Sequence, residues 1–190
     1  LLSKTVEPAS RLWILGGSAR HRERLAMELH GWQIDAVFPA KLPLPGGLSR
    51  RDDLGDSIMT AIAIAPLAKR PVRFTDLGRL RVQECERVEA LRTGLAKCGA
   101  AVLESGDTLE ISPVELRGAT IETHDDHRIA MCFATLGLKV PGIRIKNPAC
   151  VRKTFPTFFQ KLAAPTPGGL GATLLDGQGI PLEPDQLAAD

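Results

Sequence analysis

A chain of 190 residues, 44% of them apolar, can bury a real core, which excludes global disorder and makes one domain the default over two very small ones. Its 24 basic and 22 acidic side chains leave a net charge of only +2, too balanced for a dedicated nucleic-acid binder, so any anion must be held by local arrangement. The four cysteines match no CxxC pair, no apolar run reaches the ~18 residues of a membrane span, and no signal-peptide pattern is seen. A cytoplasmic protein without membrane, metal or nucleic-acid partner is expected. With Leu rather than Met at position 1, it is also expected to be a piece of something longer.

In chain order, Leu12 to Leu15 predicts a short buried strand. Gly16-Gly17 turns it into a helix over 19–30, with Ser18 as N-cap and Leu25 and Leu29 on one face. Gly31 ends that helix, and the alternation from Trp32 to Phe38 predicts a second strand. The glycines lack GxGxxG spacing, so helix capping explains them better than a dinucleotide loop. Three prolines and two glycines make 39–47 a loop or a poor edge strand. A helix opens at Asp56-Ser57 and runs to about Pro66–Lys69, apolar nearly all round, as an element packed between layers would be.

Pro71 to Thr75 predicts a strand and Leu77 to Leu80 a loop. Glu84 to Lys97 predicts an amphipathic helix with Val88, Leu91 and Leu95 as its stripe. Ser105-Gly106-Asp107 marks a hairpin between 101–103 and 108–111. A strand at 119–121, a helix from Asp126 to about Leu138 and a strand at 143–145 follow, then a last helix from Lys153 to Leu162. Past Ala163 the Pro/Gly-rich composition predicts a tail or linker with a short hairpin around 174–182. The domain is thus expected over 1–163 and the tail over 164–190.

A repeat underlies this order. Asp56 and Asp126 each open a buried helix, and Pro71 and Pro141 each follow 15 residues later; Gly31 and Gly99 precede them by 25 and 27. Three polar runs, at Asp52–Asp56, Arg81–Arg87 and His124–Arg128, stand where helices begin. Helix N-termini carry unpaired N–H groups and partial positive charge, so several converging make an anion site without metal or cofactor. Arg87, Arg128 and Lys153 supply cations there; Asp56, Glu84 and Asp126 supply carboxylates. Such a set can hold a charged substrate and move its protons. Plainer readings fit the same residues one by one. Asp56 and Asp126 can be N-caps, Glu84 and Arg87 a solvated ion pair, and His127 an ordinary helix-start residue.

Four motifs in order carry a family resemblance: Asp56-Ser57-Ile58-Met59-Thr60, Arg81 to Arg87, Asp126-His127-Arg128-Ile129-Ala130-Met131, and Cys150 to Phe159 containing Lys153-Thr154-Phe155-Pro156. Together they resemble 5-enolpyruvylshikimate-3-phosphate (EPSP) synthase, from about Gly46 to Leu162. The resemblance implies an α/β fold of the enolpyruvyl transferase type, an inside-out domain of βαβαββ units with helices in the interior. It implies transfer of the enolpyruvyl group of phosphoenolpyruvate to the 5-hydroxyl of shikimate 3-phosphate, through a tetrahedral intermediate, with no cofactor. By motif position, Asp56 is the proton acceptor at the reacting hydroxyl and Glu84 serves proton transfer at the methylene. Arg87 and Arg128 bind phosphoenolpyruvate with His127 beside them, and Lys153 binds and protonates it.

The sequence departs from the family pattern at two positions that matter, and more mildly at Cys85 and Glu86, where the family has Thr and Asp. Gln83 stands where the family has Lys, and Arg79 where it has Asn; Arg79 is expected to supply the shikimate 3-phosphate contact that Gln83 lacks. Family members run over twice this length, so the resemblance also implies a missing N-terminal domain as partner. Two repeat units are expected here. The rival reading is a non-catalytic anion-binding or interaction module on the same scaffold, which Gln83 favours and the intact Asp56, Glu84, Arg128 and Lys153 oppose.

Overall fold

The computed structural model describes residues 44, 46–165 and 168–187. The strands expected at 12–15 and 32–38, the helix at 19–30 and most of the 39–47 loop lie outside the described residues. So does the Gly31 end of the repeat.

From Gly47 the chain builds one complete unit. Strand β1 (Gly47–Ser49) leads through a wide turn at Arg50–Leu54 and a tight 3₁₀ turn at Gly55–Ser57 into helix α1 (Ile58–Ile64). Strand β2 (Val72–Thr75), a 3₁₀ turn at Gly78–Val82, helix α2 (Arg87–Lys97) and the hairpin β3 (Val102–Ser105) and β4 (Thr108–Ile111) follow. The sheet order is β1-β2-β4-β3, with β1 parallel to β2 and the other pairs antiparallel. This is a βαβαββ unit.

A second begins with β5 (Thr120–Ile121), α3 (His127–Gly137) and β6 (Arg144–Ile145), β5 and β6 pairing in parallel. The two βαβ halves carry the expected repeat, each helix preceded by its Asp and each return strand by its Pro. Among the described residues there is one full unit and the first half of another.

Helices form the interior. Ile58, Met59, Ile62 and Ala63 of α1 are fully buried, as are Ile129, Ala130, Phe133 and Leu136 of α3. Each such large side chain contributes about 1.5–3 kcal/mol through burial. Val72 and Phe74 of β2 and Leu109 and Ile111 of β4 face the same core, while Arg73 and Glu110 between them are exposed. The sheet therefore covers the helices on one face and meets solvent on the other, as an inside-out α/β domain does.

At the α2–α3 contact the backbone of α2 comes so close that a Cβ on Gly94 would lie 2.4 Å from Cζ of Phe133, a ring with no exposed surface. The ring has nowhere to go, so Gly94→Ala is expected to destabilise the protein by about 1–3 kcal/mol. Thermal unfolding reads this, and adding Phe133→Leu should recover part of the loss.

Several expectations are corrected. The 77–80 loop is a 3₁₀ turn through Val82, because Leu77 and Leu80 both bury. The strand β1 continues past the expected loop to Ser49. The last helix is divided into a 3₁₀ turn at Pro148–Lys153 and a short α4 (Phe158–Ala163). Pro156 separates them, since it lacks an N–H and disfavours helical backbone in the residue before it. Lys153 thus ends a turn instead of opening a helix. The expected hairpin is present: Leu175 bridges Pro181, and Leu182 N–H donates to Leu174 O at 2.9 Å. The stretch after it packs back, Leu187 burying against α4 and Gln160 Nε2 donating to Pro184 O at 3.0 Å.

Candidate active site

The polar residues of the three runs meet at one end of the interior helices. Gly55, just before Asp56, has φ 56° and ψ −142°, a backbone that side-chain-bearing residues avoid. That kink brings Asp56 back over the preceding turn, where its Oδ1 accepts two hydrogen bonds from Arg50, Nη2 at 2.7 Å and Nε at 3.1 Å. Helix α1 has no side-chain cap, so the N-cap reading of Asp56 does not hold.

On α3 the reverse is true. His124 and Asp125 take left-handed backbone, φ 53° and 57°, to deliver Asp126 to the cap position. There Asp126 Oδ1 accepts the Arg128 N–H at 2.8 Å.

Asp126 is fully buried, and its counter-ion is Arg87, also buried. Arg87 Nε reaches Oδ2 at 2.6 Å and Nη2 reaches Oδ1 at 3.2 Å, a two-pronged pair. The third nitrogen, Nη1, donates to Gln83 Oε1 at 2.6 Å, and Gln83 Nε2 passes the chain on to Asp56 Oδ2 at 3.1 Å. Arg87 Nη1 and Arg128 Nε stand 3.7 Å and 4.0 Å from the same Asp56 oxygen. The neutral amide of Gln83 therefore serves both neighbours, accepting from a cation and donating to an anion; a lysine could do only the second.

Glu84 and Arg87 are not a pair, contrary to the plain reading. Helix α2 starts at Arg87 because the Glu86 side chain accepts the Glu89 N–H as its cap. Glu84 lies in the loop before it, and its carboxylate accepts from Lys153 Nζ, 69 residues away in sequence. Both side chains reach solvent, so the pair itself adds little stability.

The charges tune one another. Burial would raise the Asp56 carboxyl, but hydrogen bonds from Arg50 and Gln83 and the charges of Arg50 and Arg128 outweigh it and hold it below its ordinary value. The hydrogen bond from Lys153 holds Glu84 low as well. Burial, aided by Arg128 and Arg87, outweighs Asp126 and Glu84 at His127 and holds its imidazole below its ordinary value. Its buried Nδ1 has no hydrogen-bond partner among the described residues. Burial, then Asp126, pushes Cys85 up to about 12, which disfavours its thiolate.

An open depression of about 540 Å³ is lined by Asp56, Val82, Gln83, Glu84, Arg87, His127, Arg128, Lys153 and Thr154. Asp56, Gln83, Glu84, Arg87, His127, Arg128 and Lys153, all expected from the sequence, are therefore brought together, with Asp126 buried against Arg87. Arg79 is not. It lies exposed on the 78–82 turn, beside the buried Leu77 and Leu80, and does not line the depression. Val82, Thr154 and Arg50 were not anticipated. Val82, 82% exposed, is an apolar rim, and only the fold places it there. Among the described residues no group of three or more His, Cys, Asp or Glu side chains is placed to hold a metal, and no helix is long and apolar enough to cross a membrane.

The model of one protein family, EPSP synthase (3-phosphoshikimate 1-carboxyvinyltransferase), matches residues 49–162, more than half of the chain. The chain belongs to the EPSP synthase family. Among curated EPSP synthases it is 44% identical over 110 residues to that of Nostoc punctiforme, covering 58% of this chain and 26% of the relative. It is 43% identical over 138 residues to that of Pseudomonas syringae pv. syringae, covering 70% and 32%. The Acinetobacter baumannii EPSP synthase structure superposes with a TM-score of 0.54 at 31% identity, over 60% of this chain and 27% of that one. The chain thus spans about a quarter to a third of the length of the EPSP synthases it matches.

Proposed function

We propose that this chain forms one wall of an EPSP synthase active site, transferring the enolpyruvyl group of phosphoenolpyruvate to the 5-hydroxyl of shikimate 3-phosphate. The observation that carries this reading is the convergence of Asp56, Glu84, Arg87, His127, Arg128 and Lys153 on one open depression, in a chain of this family. In the addition step Asp56 takes the proton of the 5-hydroxyl as its oxygen bonds to C2 of phosphoenolpyruvate. The double-bond electrons take a proton at the methylene carbon, from Lys153 with Glu84 as its hydrogen-bonded relay. Loss of a methyl proton and of phosphate from the tetrahedral intermediate then restores the double bond. Arg128 and Lys153, which reach solvent, hold the anionic groups of phosphoenolpyruvate. Arg87, already bound to Asp126 and Gln83, adds positive charge from the floor.

The depression is open to solvent and the chain spans a minor part of its relatives, so a further segment, joined or separate, closes the site as its partner. The 190-residue chain alone is expected to show no detectable turnover, because an open wall neither excludes water nor orients two substrates. A phosphate-release assay of the chain, with and without the remaining part of the enzyme, checks this. Turnover by the chain alone would overturn the one-wall reading. Binding of both substrates without turnover in the completed enzyme would favour the non-catalytic module.

A further inference from the structure

The carboxylate proposed as proton acceptor is held by a residue that neither the motifs nor the family pattern singles out. Arg50 lies six residues before Asp56, at the start of the wide turn Arg50–Leu54. That turn is fixed at both ends. Ser49 Oγ accepts the Asp52 N–H at 3.1 Å and Ser49 N–H donates to Asp53 Oδ2 at 2.8 Å; at the other end the Gly55 N–H returns to Arg50 O. The side chains of Arg50 and Asp56 are only 16% and 20% exposed, so the pair is partly withdrawn from water. Both Arg50 contacts, at 2.7 Å and 3.1 Å, fall on Oδ1. The opposite oxygen, Oδ2, faces Gln83, Arg87 and Arg128, the residues that line the depression.

We propose that Arg50 is a positioning residue for the transfer reaction: its guanidinium occupies Asp56 Oδ1 and so presents Oδ2 to the reacting hydroxyl. The inference rests on the enolpyruvyl-transfer reading given above. The physical argument is geometric. A carboxylate on a single Cβ can rotate, and either oxygen can accept a proton. Two donors from one rigid, always-charged fork remove that freedom before substrate arrives. Gln83 alone, a single neutral donor on Oδ2, would not select an oxygen, and it must yield when the substrate hydroxyl takes its place. The charged groups around the carboxylate are Arg50, Arg87 and Arg128, with Glu84, His127 and Lys153 across the depression. Of these, Arg50 is the one in hydrogen-bond contact. Its removal also lets burial act less opposed on the Asp56 carboxyl.

The test is made in the full-length enzyme with Arg50→Met and Arg50→Lys beside wild type. Arg50→Met is expected to lower kcat by up to about 100-fold, to leave the KM for phosphoenolpyruvate nearly unchanged, and to move the acid limb of the kcat–pH profile toward neutrality. Arg50→Lys keeps the charge without the fork, so it should restore the acid limb but only part of kcat. Wild-type kcat and acid limb in both variants, with wild type active, would overturn the proposal. An inactive wild type would instead remove the transfer reading. Titration of the Asp56 carboxyl by carbon-13 NMR, identified by its loss in Asp56→Asn, then decides the Arg50 contact on its own. An upward shift in Arg50→Met supports it and an unmoved titration refutes it. Should Arg50→Met not fold, the same two readouts on Arg50→Lys carry the comparison.

Discussion

Replacing Asp126 by alanine is expected to lower the stability of the full-length protein by about 3–5 kcal/mol, seen as a lower urea midpoint for this domain. The change leaves the Arg87 guanidinium, 3% exposed, without its hydrogen-bonded counter-charge. It also removes the cap on α3, a loss of about 1 kcal/mol by itself. The poorly compensated charge dominates, because Arg87 is buried, its hydrogen-bonded partner Gln83 is neutral, and the remaining carboxylate, Asp56, stands at 3.7 Å and is shared with Arg50. A buried pair is not in itself strongly stabilising, since taking both ions out of water offsets most of their attraction. The double variant Arg87→Met/Asp126→Leu should therefore recover most of the lost stability while destroying the site. If Asp126→Ala costs no more than an ordinary cap, the pair is better hydrated than its burial implies.

The same carboxylate sets an acid limit. Burial raises Asp126, but the Arg87 hydrogen bond and charge, the Arg128 N–H and Cys85 together hold it below its ordinary 3.8. A depressed carboxyl contributes stability that is fully present above its unfolded value and is lost as pH falls through its folded one. The stability that separates wild type from Asp126→Ala should thus be full at neutral pH and shrink below about pH 4.

What could be read from the chain follows from how local each signal is. The fully apolar α1, the stripe of α2 and the Gly106 hairpin depend on neighbours a few residues away, and their side chains announce them. The paired Asp/Pro spacing also showed the βαβ repeat, because a helix of fixed length between parallel strands must recur in register. Partner choice could not be read in this way. Glu84 and Arg87 are three residues apart and invite pairing, yet the helix begins only at Arg87, with Glu86 as its cap, so the two do not share a helical face. The two then join Lys153 and Asp126, each far away in sequence. Arg50 was invisible for a related reason: its reach to Asp56 depends on the positive φ of Gly55, which no periodicity reports. Arg79 was singled out by charge alone, which says nothing of where a side chain stands; it is exposed and does not line the depression.

Asp56→Asn is expected to reduce kcat of the full-length enzyme by about 10²–10⁴-fold with little change in the KM for phosphoenolpyruvate. The amide keeps the size of the carboxylate and one acceptor oxygen, so the loss falls on proton acceptance more than on packing. Phosphoenolpyruvate is assigned to Arg128 and Lys153, and these stay in place, which is why binding should survive. The competing explanation is electrostatic. Asp56 stands 4.0 Å from Arg128 and 3.7 Å from Arg87, and neutralising it strengthens the positive field of the depression. That would tighten anion binding, lowering the KM, with kcat falling only modestly. The two accounts part on pH. A lost base removes the acid limb of the kcat profile, whereas a changed field only displaces it. A retained acid limb in Asp56→Asn would move the proton-accepting role to another carboxylate, and Glu84, on the same depression, is the next candidate.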